Sequence, residues 1–264
     1  MNNYSIADLL DDFSIRRLFD IFRNENKEVR LVGGCIRDIF LRKKTKDIDF
    51  AANIKPGEII NILNKNKIQY EDFAYKYGSI TAILENQKYQ ITALREDINQ
   101  MGRHTNIKYT NNWKQDAQRR DFTINALYLS GDGNLTDYFN GQKDLADSKL
   151  KFIGNVDERI QEDYLRIFRY YRFLGLFENP ILIEGYEEIL SQNVEKSFDY
   201  LSNDLIRKEI LKMFSTSFPI NCFFNKKKPK DKKYWIKLVK KEFVKSNYDI
   251  GLNKCLNNIE LIIN

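Results

Sequence analysis

One short stretch sets most of the constraints on this chain. Residues 29–52 read VRLVGGCIRDIFLRKKTKDIDFAA: an apolar run, two glycines, a short amphipathic segment, and a second apolar run entered through two aspartates one residue apart. The run VRLV predicts a buried strand, Gly33-Gly34 a turn, CIRDIFLR a short helix and DIDFAA a second strand. Side chains two apart on a strand leave the same face, so Asp47 and Asp49 converge on one side. Like charges at that spacing repel unless a cation lies between them. Such a pair can coordinate one or two Mg²⁺ ions, which take oxygen ligands and share themselves with substrate phosphates. For a bare pair of this kind, a solvated strand edge is the other reading. The upstream turn favours the first. Glycines without side chains let a triphosphate approach the backbone at a helix N-terminus, and Arg37 on the first turn adds a fixed positive charge.

Around this stretch the pattern is mixed. Residues 5–23, SIADLLDDFSIRRLFDIFR, space Ile6, Leu9, Leu10, Phe13, Leu18, Phe19 and Phe22 as one amphipathic helix with Ser5 as its N-cap. Pro56-Gly57 opens another helix, and GSITAIL and YQITALR, joined by ENQK, predict a β-hairpin. From Gly131 the chain turns polar and then helical, with helices expected at 156–176, 184–192 and 202–215. NKKKPKDKK, residues 225–233, reads as a charged loop. The expected class is α+β: an N-terminal mixed-sheet head over 1–140, an all-helical neck over 141–215 and a short helical C-terminal region over 216–264.

Composition narrows the class of partner. Hydrophobic residues at 42% and aromatics at 13% exclude a disordered chain. A net charge of +6 favours a polyanion. Cys35, Cys222 and Cys255 are widely separated and form no CxxC pair, so neither a disulfide framework nor a thiolate zinc site is indicated, and a reducing cytosol fits. The N-terminus carries acids where a signal peptide needs a basic segment, and no long apolar run occurs; the expectation is a soluble, cytoplasmic protein without a membrane partner.

VGGCIRD followed by KDIDF resembles the first motif of the class II tRNA nucleotidyltransferases and the related poly(A) polymerases, in the DNA-polymerase-β-like superfamily. The resemblance continues in order. LREDINQMGRH is similar to the family's flexible loop, DAQRRDFTINALY (116–128) to its RRDFTINA motif, EDYLRIFRYYRF (162–173) to its EDxxRxxR helix, and LSNDLIRKEILKMF (201–214) to the helical motif that follows. It covers residues 28–214.

The resemblance implies a nucleotidyltransferase head with Asp47 and Asp49 as catalytic Mg²⁺ ligands. Gly34, Arg37 and Arg120 would meet the nucleotide, with Asp121 and Asn125 shaping the sugar site. Asp163 and Arg166, with Arg169 and Arg172 continuing at steps of three, would form a protein template for the base. There a carboxylate accepts from the exocyclic amino group of C or A, and an arginine donates to ring acceptors. The implied activity is addition of C and A to the tRNA 3′ end from CTP and ATP. Poly(A) addition, partial CC- or A-addition and a non-catalytic RNA-binding relative stay open. Two features depart from the pattern: Gln90 stands where many members carry glutamate, and residues 215–264 follow the last motif where members usually continue into a longer helical body. Lys226–Lys228 and Lys230–Lys233, interrupted by Asp231, are candidate phosphate contacts, and His104, the single histidine, reads as a loop or structural residue.

Overall fold

The computed structural model describes residues 4–45, 47–101, 104–225 and 228–259; the side chains of 99–101, 104–105 and 228–231 are outside this description. The chain divides into two compact units, Met1–Asn99 with Thr105–Ala146, and Gln100–His104 with Asp147–Asn264.

The first unit is built on a sheet. Helices α1 (Ile6–Leu10) and α2 (Phe13–Asn24) precede β1 (Val29–Val32), α3 (Gly34–Phe40), β2 (Ile48–Ala52) and α4 (Pro56–Lys65). Then come β3 (Gln69–Glu71), β4 (Ser79–Leu84), β5 (Gln87–Ala93), β6 (Arg95–Met101), β7 (His104–Tyr109) and α5 (Trp113–Gln118), followed by β8 (Leu127–Leu129), β9 (Leu135–Asp137) and α6 (Gly141–Ala146). Seven strands form one mixed sheet in the order β3-β4-β5-β2-β1-β8-β9, and β6 pairs with β7 separately. The register puts Leu129, Leu31, Phe50, Ile91 and Ile80 in one row across the sheet, all buried. Helix α2 covers this face, with Phe19 and Phe50 edge to face at 5.4 Å. The alternate positions Tyr128, Asp49, Gln90 and Thr81 therefore leave the opposite face.

Two local expectations change in this unit. Residues 5–23 form two helices, because Asp12 takes an extended conformation and its carboxylate accepts from the Ile15 N–H at 3.0 Å, capping a new helix. Ser5 does cap α1, through a capping box with Asp8. The segment expected as a flexible loop runs as the β6–β7 pair where it is described. The β4–β5 hairpin forms as expected: Glu85 and Asn86, at φ 48 and 61°, supply the two left-handed residues of a tight turn.

The second unit holds α7 (Val156–Glu162), α8 (Leu165–Leu174), α9 (Tyr186–Tyr200), α10 (Asn203–Phe214) and α11 (Ile220–Phe223). A short ladder of β10 (Phe224–Asn225) and β11 (Lys228–Lys232) leads to α12 (Tyr234–Lys245) and α13 (Ile250–Asn257). Its core gathers on Trp235, whose ring lies 5.5 Å from Tyr171, 5.9 Å from Phe168 and 6.0 Å from Phe223. The lysine-rich segment is thus a ladder rather than a loop: main-chain pairing is indifferent to side-chain charge, and buried Phe224 anchors it. No helix among the described residues is long and apolar enough to cross a membrane.

Candidate active site

The β1–α3 turn brings two guanidinium groups together. Gly33 has φ 78° and ψ −121°, a conformation that only glycine adopts without strain, and its N–H donates to the Leu127 carbonyl at 3.2 Å. A Cβ on Gly33 would lie 3.5 Å from Arg120 Nη1, and one on Gly34 would lie 3.6 Å from Arg37 Nη2. Both guanidinium groups therefore stand within contact distance of the side-chain-free turn.

Each arginine is held by its own anchor. Arg37 Nη1 donates to Asn125 Oδ1 at 2.8 Å, while its Nε and Nη2 donate to Asp38 Oδ1 at 2.9 and 2.7 Å. Asn125 Nδ2 in turn donates to Asp121 Oδ1 at 3.0 Å, so Asp121 and Asn125 orient Arg37. Arg120 donates from Nε to Tyr128 Oη at 3.1 Å and from Nη2 to Asp116 Oδ2 at 3.2 Å. The Tyr128 hydroxyl in turn donates to Asp116 Oδ2 at 2.7 Å. The other oxygen of Asp116 accepts from Arg119 Nε at 2.9 Å and the Arg95 N–H at 3.3 Å. Burial pushes the fully enclosed Asp116 carboxyl up, but Arg119, Arg120 and the Tyr128 hydroxyl outweigh it and hold the group down at about 2.

The carboxylates stand beside this cluster. Asp49 is the second residue of β2, half-buried, whereas Asp47 precedes the strand and is exposed, so the expected pair on one strand holds only for Asp49. Burial raises the Asp49 carboxyl, Arg120 lowers it, and Asp47 raises it again. Gln90, exposed, is the ladder partner of Asp49 and shares its face. Behind Asp49, burial and the Asp49 charge push the Cys35 thiol up to about 12, leaving it inert as a nucleophile. Among the described residues no group of three or more His, Cys, Asp or Glu side chains could hold a metal. Asp49 and Gln90 share an open face, and Asp47 is near enough to act on Asp49, so the oxygen donors here are of the kind a hard divalent cation takes.

The second unit carries the other four candidates. Asp163 lies not inside a helix but at a break: its backbone is extended, at φ −151° and ψ 102°, and its Oδ1 accepts from the Leu165 N–H at 2.9 Å to start α8. Asp163 and Arg166, expected at i and i+3 on one helix face, are therefore not residues of one helix. Arg166 is buried and donates from Nη1 to Glu162 Oε2 at 2.6 Å and to the Arg159 carbonyl at 2.7 Å. Arg172 pairs with Glu209 at 2.6 Å and packs 4.1 Å from the Phe173 ring, and Arg169 sits 5.4 Å from the same ring.

Of the candidate lysines, Lys226 and Lys227 lie outside the described residues, as do the side chains of Lys228, Lys230 and His104. Lys233 is no surface contact: it is 5% exposed, with its ammonium 4.8 Å from the Tyr171 ring. Asp116 and Tyr128 are the site residues that sequence reasoning passed over. For Asp116 the signal was present, at three and four residues before Arg119 and Arg120.

Residues 29–151 match the poly A polymerase head domain. The chain is 43% identical over 162 residues to human "CCA tRNA nucleotidyltransferase 1, mitochondrial", covering 61% of this chain and 37% of that protein. It is 34% identical over 188 residues to the "CCA-adding enzyme" of Lactobacillus johnsonii, covering 70% and 46%. The chain thus spans less than half the length of these relatives. Among solved structures, the CCA-adding enzyme of Bacillus stearothermophilus in complex with CTP superposes with a TM-score of 0.70 at 22% identity, over 78% of this chain and 49% of that one; at that identity the likeness is one of fold. The Thermotoga maritima CCA-adding enzyme complexed with tRNA gives a TM-score of 0.64 at 26% identity, over 83% and 52%.

Proposed function

Because the chain belongs to the class II tRNA nucleotidyltransferase and poly(A) polymerase family, we propose that it adds C and A to the 3′ end of tRNA without a nucleic-acid template. CTP and ATP are the substrates in this reading and pyrophosphate the product. The observation that carries it is the meeting of the Arg37 and Arg120 guanidiniums at a side-chain-free glycine turn, with the half-buried Asp49 charge in reach of Arg120. Two fixed cations beside a helix N-terminus form a triphosphate cradle. Asp47 and Asp49 would hold Mg²⁺, which would supply Lewis-acid activation of the attacking hydroxyl and charge neutralisation on the leaving phosphates. Arg37, oriented by Asp38 and Asn125, and Arg120, oriented by Asp116 and Tyr128, hold the phosphates in place.

Base selection is assigned to the second unit. Asp163 accepts from the exocyclic amino group of C or A, and Arg166, Arg169 and Arg172 supply donors and shape around it. Arg166 and Arg172 enter this role already paired with Glu162 and Glu209, which fixes their positions. The division into a head over 1–140, a neck over 141–215 and a remaining helical region is part of the same proposal, as is a reducing, cytoplasmic setting for three unpaired cysteines.

The test is incorporation. The protein is incubated with Mg²⁺ and tRNA transcripts ending before CCA, after C or after CC, with each nucleoside triphosphate alone and in pairs, and the 3′ ends are sequenced. Growth to CCA followed by arrest is the expected result. Open-ended A addition to any RNA assigns the chain to the poly(A) branch, and no addition to any substrate overturns the enzymatic reading.

A further inference from the structure

We propose that Asp116 is the positioning residue that aims Arg120 at the nucleotide phosphates. The inference rests on the reading of Arg120 as a phosphate contact and adds what makes that contact possible.

Asp116 is fully enclosed and takes four donors, two on each oxygen. The Arg120 fork is fixed along one edge, with Nε on Tyr128 Oη and Nη2 on Asp116 Oδ2. A planar guanidinium held at two of its nitrogens has its plane set, and the third nitrogen must then point away from the anchor. That third nitrogen, Nη1, is the atom at the Gly33 turn. Tyr128 cannot set the plane unaided, because its hydroxyl is itself oriented by donation to Asp116.

Charge points the same way. Arg119 and Arg120 are adjacent and share this one carboxylate, with the Arg95 guanidinium close enough to feel Arg119 and Asp116. Asp116 is the enclosed carboxylate that Arg119 and Arg120 share, while Arg95 pairs with Asp97 at 3.2 Å and Asp49 acts on Arg120 as well, so losing the Asp116 charge falls directly on Arg119 and Arg120. Removing it leaves neighbouring guanidiniums repelling each other and Arg120 without its Nη2 acceptor.

A purely architectural role would lower stability without coupling to Arg120 in ligand binding. CTP affinity in the presence of Mg²⁺ is therefore measured for the wild type, Asp116→Asn, Arg120→Ala and the double variant, well below each unfolding temperature. Asp116→Asn should weaken CTP about tenfold, Arg120→Ala at least as much, and the double variant no more than Arg120→Ala. Asp116→Glu should recover part of the loss. If Asp116→Asn fails to fold, Tyr128→Phe removes the shared hydroxyl and should weaken CTP several-fold by the same route. Additive losses, or full CTP affinity in Asp116→Asn beside a weakened Arg120→Ala, overturn the positioning role and leave the phosphate contact standing. Full affinity in Arg120→Ala overturns that contact and, with it, this inference.

Discussion

Asp49 on β2 and Gln90 on β5 are direct partners across a parallel ladder, so their side chains leave the same face of the sheet. The neutral amide adds no like charge to the one that Asp47 already brings to bear on Asp49. Gln90→Glu places a carboxylate on this face beside Asp49 and Asp47. The variant should need several-fold less Mg²⁺ for half-maximal incorporation, because a third anionic oxygen joins the donor set. Without divalent ions it should melt at lower temperature, since the added charge repels Asp49. A Mg²⁺ titration and a melting curve with chelator check both, and an unchanged Mg²⁺ requirement would remove Gln90 from the metal's surroundings.

Gly33 and Gly34 make different demands on the chain despite being neighbours. Only Gly33 has a positive φ, and its empty Cβ position faces Arg120 Nη1. Gly33→Ala should cost about 1–3 kcal/mol in backbone strain and weaken CTP binding besides. Gly34→Ala, in helical conformation, should be milder in stability and act only through its approach to Arg37. Melting temperatures and CTP affinities of the two variants decide the point; equal losses of stability would contradict the conformational assignment.

Acid should reach Asp116 only late in a titration. Its carboxyl is held at about 2 in the folded protein, below the ordinary value near 3.9 of an unfolded chain. The folded state therefore binds fewer protons than the unfolded state between those two values. The stabilisation is complete above about pH 4 and disappears as pH falls toward 2, an effect on the order of 2 kcal/mol. Asp116→Asn lacks it throughout. Urea unfolding of both proteins from pH 7 to pH 2 should show their stability gap narrowing in that window, and a gap constant with pH would mean the charge does no stabilising.

Much of this was legible in the sequence where the physics is local. The strand, glycine turn, helix and second strand over 29–52 follow from residues acting on their own backbone, and they form as expected. The anchor of Arg120 was only half legible: Asp116 sits at helical spacing, but the Tyr128 hydroxyl joins it through the pairing of Val32 with Tyr128, which no local pattern encodes. The break at Asp163 was hidden for the opposite reason. Ile160, Tyr164, Ile167 and Phe168 keep a helical spacing and are all buried, so periodicity reads straight through a break made by one carboxylate on the Leu165 N–H. Lys233 looked exposed because its neighbours are charged, yet it is buried with its ammonium over the Tyr171 ring while the backbone of the segment enters a ladder.

The break at Asp163 gives its side chain two tasks that one substitution separates. Oδ1 caps α8 by accepting from the Leu165 N–H, and the proposed second task is to accept the amino group of C or A. Asparagine keeps an acceptor for the cap and replaces the other oxygen with an amide donor. UTP presents a carbonyl where CTP presents an amino group, so Asp163→Asn should lose CTP incorporation and gain UTP incorporation while melting within about 1 kcal/mol of the wild type. Asp163→Ala removes both tasks and should lose about 1 kcal/mol of stability along with nucleotide discrimination. Single-nucleotide incorporation with all four triphosphates, run beside melting curves, separates these outcomes. Unaltered selectivity in both variants would assign Asp163 to the helix start alone.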